Sequence, residues 1–300
     1  MPEPLLLVGH GTVDAAGVAE FVAFTRRLRQ RLRPAGVDVD GGFIELSLPT
    51  VHEAWAALAA RGHRRLAAVP LVLVAAGHAK GDIPAALQRE VLRDPGSGYV
   101  MGRPLGPHPV LQELLAARIA AALDGAPERT AVLLVGRGST DPDANAEVCK
   151  VARLLQEGRD YAFVEPAFVS LTSPDVWTGL DRCRALGARQ VVVAPYFLFD
   201  GVLPRRVVEQ AAAFGRAHPD VEVRAAAHLG DTDALAGLVV ERYREALHGD
   251  IRMNCDTCAY RVLLPGFEDK LGAPQTPHHH PDDPAGHGHG HGRVVAGERS

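Results

Sequence analysis

The chain is written twice, and this constrains its fold more than any other feature. An apolar run at residues 5–8 stops at Gly9-His10-Gly11, and residues 131–135 repeat the run before stopping at Gly136-Arg137-Gly138. Residues 42–46, Gly-Phe-Ile-Glu-Leu, followed by Pro49, return as residues 167–171, Ala-Phe-Val-Ser-Leu, followed by Pro174. Pro70-Leu71-Val72-Leu73 recurs as Pro195-Tyr196-Phe197-Leu198, and Pro104-Leu105-Gly106 as His228-Leu229-Gly230. Four anchors at an offset of about 125 residues mark an internal duplication.

Within the first copy, strand-like and helix-like segments alternate. Strands are predicted over residues 5–8, 41–46, 66–74 and 99–105, and helices over 14–32, 54–60, 83–92 and 110–123. In the first helix Val18, Phe21, Val22 and Leu28 recur at helical spacing, and Arg26, Arg27 and Arg29 fall near the end where the helix dipole favours cations. Repeated βα units with short loops imply an α/β fold, a small parallel sheet with helices on both faces in each copy. Ligands of such sheets bind at the carboxyl ends of the strands, so two tandem (βα)4 domains facing each other would enclose a central cleft. At 300 residues the chain exceeds the ~100–150 of one typical domain, which agrees with two. The turn-rich Asp124-Gly125-Ala126-Pro127 places the boundaries at 1–125 and 126–250. Residues 251–300 form a tail in which Pro, Gly and His dominate from Gly272 onward, too polar to build a core.

A formal charge of -4 supplies no general basic field, which argues against a nucleic-acid partner. The longest apolar runs fall far short of the ~20 residues that span a bilayer, and the Met1-Pro2-Glu3-Pro4 start has no cationic leader, so no membrane association and a cytoplasmic location are expected. Four cysteines are too few for a disulfide scaffold. Cys149 and Cys183 fall in predicted helices, where buried, inert thiols are expected, whereas Cys255-x-x-Cys258 suggests metal or redox chemistry. Six of the fourteen histidines, His278, His279, His280, His287, His289 and His291, crowd the tail and suggest a metal store. His52, His63, His108, His218, His228 and His248 are expected on the surface or at helix caps, and Trp55 and Trp177, in corresponding helices, in the core.

The chemistry concentrates at one sheet edge. His10 follows the first strand, Glu45 ends the second and His78 follows the third, so all three project from the carboxyl edge of the N-terminal sheet. Two imidazoles and a carboxylate suit a divalent first-row metal and also proton abstraction. Two loop histidines without a shared role would be the ordinary outcome. The second copy argues otherwise: it has Arg137 for His10 and Ser170 for Glu45, and about five residues around His78 are missing. The trio is lost together, as a single site confined to one copy would be.

These residues resemble a known family. The Gly-His-Gly opening, Phe43-Ile44-Glu45-Leu46 and Gly77-His78-x-Lys80-x-Asp82-Ile83-Pro84 are similar to the CbiX group of class II chelatases, across roughly residues 4–250. Met253-x-Cys255-x-x-Cys258 with the His-rich segment resembles the long form of that group, whose motif is associated with an iron–sulfur cluster. The resemblance implies two chelatase-like domains and insertion of Co2+ into sirohydrochlorin on the anaerobic route to cobalamin, with His10, Glu45 and His78 as metal-binding and catalytic residues. Sirohydrochlorin ferrochelatase or nickel chelatase activity is the alternative within that chemistry. A non-enzymatic cytosolic cobalt or nickel carrier is the alternative outside it. No Gly-x-x-x-x-Gly-Lys-Ser/Thr loop occurs, so ATP is not expected to be needed. For a polycarboxylate tetrapyrrole the second copy's edge offers Arg137, Ser139 and Thr140, with Lys80 opposite. A solvated charge or an interdomain salt bridge is the competing account of Arg137. Cys255 and Cys258 supply two of the four thiolates a cluster usually needs, so a cluster would take other ligands or be shared across a homodimer.

Overall fold

The computed structural model describes residues 2–249 and 268–271. The first half runs β1 (Leu5–Gly9), α1 (Ala15–Leu32), β2 (Val39–Phe43), α2 (Val51–Ala60), β3 (Arg65–Pro70), a π-helical turn (His78–Asp82), α3 (Ile83–Arg93), β4 (Gly98–Met101) and α4 (Pro109–Ala122). The second runs β5 (Thr130–Gly136), α5 (Pro142–Gln156), β6 (Phe163–Phe168), α6 (Val176–Ala185), β7 (Gln190–Pro195), α7 (Val202–Ala217), β8 (Glu222–Ala225) and α8 (Asp233–His248). The strands form two all-parallel sheets with the same order, β2-β1-β3-β4 and β6-β5-β7-β8. Every residue of β1 and β5 is buried, as central strands covered on both faces require. Helix starts follow side-chain capping: Asp14, Thr50, Asp141, Asp175 and Thr232 each accept a backbone N–H of the first turn.

Strands end earlier than the apolar runs suggest. β3 stops at Pro70, yet Val72, Leu73 and Val74 continue apolar because they line the cleft between the sheets. β2 likewise stops at Phe43, leaving Glu45 in the following loop.

The sheets divide near residue 125, but the core does not. Each half's fourth helix crosses to the other half: α4 packs on β7 and α5, while α8 packs on β3 and β4. Arg242 of α8, fully buried, donates to the carbonyls of Pro104 and Leu105, and Tyr243 donates its hydroxyl proton to the carbonyl of Glu3 at 2.6 Å. Reciprocally, Arg118 of α4 donates to the Leu229 carbonyl at 2.8 Å. One apolar cluster therefore runs from Leu5 and Leu111 through Leu134 to Val239, and smaller clusters cover the outer face of each sheet. In place of two separate cores there is one shared core with two outer layers.

Three expectations need correction. Trp55 is buried, but Trp177 is 38% exposed, lying edge-on to Phe214 at the helix surface. Cys183 is buried, with desolvation pushing its thiol up to about 12, whereas Cys149 lies exposed on α5. His63 is buried against Asp38, with Nε2 2.7 Å from Oδ2. The other histidines follow expectation: His108 caps α4, His218 ends α7, His248 closes α8, and His52 and His228 pair with Glu90 and Glu20. No helix among the described residues is long and apolar enough to cross a membrane. Cys255, Cys258 and the His-rich segment lie outside the described residues.

Candidate metal centre and cleft

β1 and β3 are adjacent, and their chains leave toward opposite sides of the sheet, so the carboxyl ends of these two strands flank a switch point. His10 lies directly beyond β1, and His78 opens the π-helical turn after β3. Glu45 joins them because the loops after β1 and β2 touch. Its N–H donates to the His10 carbonyl at 3.1 Å, and Gly11, at φ 116°, passes so close that a Cβ there would lie 1.8 Å from the Glu45 carbonyl oxygen. Only glycine fits both the left-handed backbone and that approach.

The candidate ligand atoms converge. His10 Nε2 lies 2.8 Å from His78 Nε2 and 3.2 Å from Glu45 Oε1, and atoms of all three residues fall within 4.8 Å of one another. The imidazoles meet nearly edge to face, 80° apart. His78 Nδ1 is 2.6 Å from Asp82 Oδ2, which fixes the ring and turns Nε2 toward His10. Asp82 stands one turn beyond His78, so the i,i+4 spacing in the sequence carried the signal for this orienting carboxylate.

The second copy keeps the scaffold and changes the chemistry. Gly138, at φ 88°, would place a Cβ 1.9 Å from the Ser170 carbonyl oxygen, and Ser170 N–H donates to the Arg137 carbonyl at 3.0 Å. Arg137, Ser139 and Thr140 line a cleft of about 370 Å3 whose other wall carries His10 and His78. Ser139 is held by Asn145, which accepts its N–H at 2.9 Å and donates to its carbonyl at 2.8 Å. Arg206, on α7, joins this wall. Its place inside a helix gave the sequence reading no cue.

Lys80 is placed differently from expectation. Its ammonium is buried in an ion pair with Asp141 at 2.7 Å and Asp143 at 3.1 Å, across the boundary between the halves, rather than facing the cleft. Burial alone would depress its pKa, but the hydrogen bonds and charges of Asp141, then Asp143, outweigh it and raise the value. Nearby Glu147 of α5 accepts the Ala75 N–H at 2.8 Å, and its burial pushes the carboxyl up to about 7 against that bond's lowering effect.

At the rim, Leu46 and Leu171 occupy equivalent positions and both adopt left-handed backbone, at φ 62° and 64°. Such a conformation costs a non-glycine residue of order 1–3 kcal/mol. Both leucines line the cleft and remain exposed, giving each half an apolar knob beside its functional edge.

The model of the family described as CbiX matches twice, over residues 4–122 and 131–246. The chain belongs to the CbiX family. Each half is one CbiX unit, in agreement with the repeated strand order. Among curated relatives, the sirohydrochlorin cobaltochelatase of Priestia megaterium is 37% identical over 262 residues, covering 86% of this chain and 84% of the relative. The sirohydrochlorin ferrochelatase of the same organism is 33% identical, covering 69% of this chain and 77% of its own length. A solved structure of SirB from Bacillus subtilis with Fe3+ superposes with a TM-score of 0.72 at 29% identity, over 83% of this chain and 96% of that one. The metals named for these CbiX relatives are cobalt and iron.

Proposed function

We propose that the protein is a cytoplasmic, ATP-independent chelatase that inserts Co2+ into sirohydrochlorin on the route to cobalamin. The observation that carries this reading is the polarity of the cleft: His10, Glu45 and His78 on one wall, Arg137 and Arg206 on the other. The metal is a substrate here, so its ligands must hold it and then yield it. Two neutral imidazoles and one carboxylate make a site of moderate strength that protonation empties. Arg137 and Arg206 grip peripheral carboxylates of the tetrapyrrole, Arg in the bidentate manner its planar fork allows. Ser139 and Thr140 add hydroxyls at the same edge. Leu46 and Leu171 then flank the macrocycle. Glu45, 13% exposed and beside His10, receives a pyrrole proton as metal replaces it, and a histidine released from the metal can take the second.

Cobalt is favoured over iron by the greater identity and coverage toward the cobaltochelatase of Priestia megaterium than toward that organism's ferrochelatase. A carrier that only buffers metal has no use for a second wall of cations. Cys255 and Cys258 take no part in the steps assigned here. The test mixes purified protein with sirohydrochlorin and Co2+ without ATP and follows the tetrapyrrole absorbance, with anaerobic Fe2+ and Ni2+ in parallel. Faster turnover with Co2+ is expected. Acceleration by none of the three metals would sink the chelatase reading, and a clear preference for Fe2+ would reassign the metal.

A further inference from the structure

Each half braces the other through one glutamate. Glu147 of α5 accepts the Ala75 N–H of the β3–α3 loop at 2.8 Å, and Glu20 of α1 accepts the Asp200 N–H of the β7–α7 loop at 2.9 Å. The two glutamates occupy corresponding positions, in Ala19-Glu20 and Ala146-Glu147, and so do the two loops. The brace is thus reciprocal, as the duplication requires, but its two arms differ. Glu20 is a third exposed and also meets His228 at 3.2 Å. Both arms are doubled by an ion pair, Arg205 of α7 with Asp14 on one side and Lys80 with Asp141 and Asp143 on the other, but Arg205 is half exposed whereas Glu147 is 7% exposed and the Lys80 ammonium is buried with both its carboxylates. A brace that only joined the halves would have no reason to be stronger on one side. The stronger arm holds the loop carrying His78, gripping it three residues before the imidazole and two after.

We infer that Glu147, together with the Lys80 pair to Asp141 and Asp143, positions His78 against His10, so that the half without metal ligands sets the geometry of the metal site. Resting on the metal assignment proposed above, this makes Glu147 a positioning residue: it acts through the Ala75 backbone and the loop. Three segments converge on the site, and two of them, bearing His10 and Glu45, are locked by their own backbone contact. The His78 loop is held by its own half as far as Val72 and Leu73, whose carbonyls accept the Leu105 and Gly106 N–H groups, and nearer the imidazole it takes its reference from the other half. Losing that reference lets Nε2 wander, and outer partners of metal ligands typically govern affinity by 10–100-fold.

The test titrates Co2+ alone into metal-free protein by calorimetry, comparing wild type, Glu147→Leu, Glu147→Gln and His10→Ala. Leucine keeps the bulk and removes the acceptor, and should weaken cobalt binding by about 10–100-fold while raising the KM for cobalt and not that for sirohydrochlorin. Glutamine keeps an acceptor oxygen for the Ala75 N–H and should restore most of the affinity. Wild-type affinity in Glu147→Leu, or equal loss in Glu147→Gln, would overturn the inference. His10→Ala separates the two levels. If it too binds cobalt as wild type does, the metal assignment itself fails, whereas its loss beside an intact Glu147→Leu rejects positioning alone. Should Glu147→Leu not fold, wild-type hydrogen exchange decides. Coupling is reciprocal, so cobalt must slow exchange of the Ala75 amide, and unchanged exchange rejects the brace.

Discussion

Replacing Glu147 by Gln should change stability in a manner that depends on pH. Burial holds this carboxyl at about 7 in the fold, against an ordinary 4.5. Between those values the native state keeps a proton that the unfolded chain releases, so wild-type stability must fall as pH rises through the window. A displacement of that size, at 1.36 kcal/mol per unit, amounts to about 3 kcal/mol once the pH exceeds 7. Glutamine carries no such proton, can still accept the Ala75 N–H, and removes one negative charge beside buried Asp143. The variant should match wild type near pH 4.5 and exceed it by up to about 3 kcal/mol near pH 8, a rise in melting temperature of roughly 6–12 °C for a fold of this size. Urea and thermal unfolding at half-unit pH steps, with a chelator present to remove metal linkage, measure the difference. A gap of the same size at pH 4.5 and pH 8, or a gap that widens toward acid, would refute the argument that a buried charge is responsible.

Other perturbations should separate the walls of the cleft. His10→Ala or His78→Ala removes a ligand and a proton acceptor together, so insertion rates should drop by at least ~10²-fold with circular dichroism unchanged. Asp82→Asn leaves all three ligands but loosens the His78 ring, so cobalt affinity measured by calorimetry should fall ~10-fold or more. Arg137→Ala and Arg206→Ala should raise the KM for sirohydrochlorin while cobalt binding to the free protein stays as in wild type. Lys80→Met strands Asp141 and Asp143 without their cation, and denaturation should show a loss of about 3–5 kcal/mol, far beyond a surface ion pair.

The features legible in the sequence were those written locally. β1 and β5 announce themselves as apolar runs broken by Gly-x-Gly, and side chains just beyond strand ends must share an edge, which is why His10, Glu45 and His78 could be grouped across 68 positions. The pairing of Lys80 is not legible, because nothing near it in sequence shows that Asp141 and Asp143 will meet it. Charge pairing over such separations is decided by how the halves dock. The crossing of α4 and α8 was hidden for the same reason, since an amphipathic helix shows that it has a partner sheet without showing which. Trp177 lies in the helix that corresponds to that of Trp55 but not at its position: counted from the caps Thr50 and Asp175, Trp177 falls where His52 stands, and the counterpart of Trp55 is the buried Leu180. The brace did leave a trace: the paired Ala-Glu in α1 and α5 survives where the flanking residues have changed.

The exchanged fourth helices bear on how such a chain can have arisen. A half-length product would carry a last helix suited to another copy's sheet, and two identical copies pairing by mutual exchange would complete each other. Such a pair is obliged to be symmetric, with a histidine edge facing a histidine edge and no means of telling one side of a ligand from the other. Joining the copies in one gene lifts that obligation. Each edge can then differ, and the edge with Arg137 and Ser170 where the other has His10 and Glu45 gives the cleft a direction that a symmetric pair cannot have.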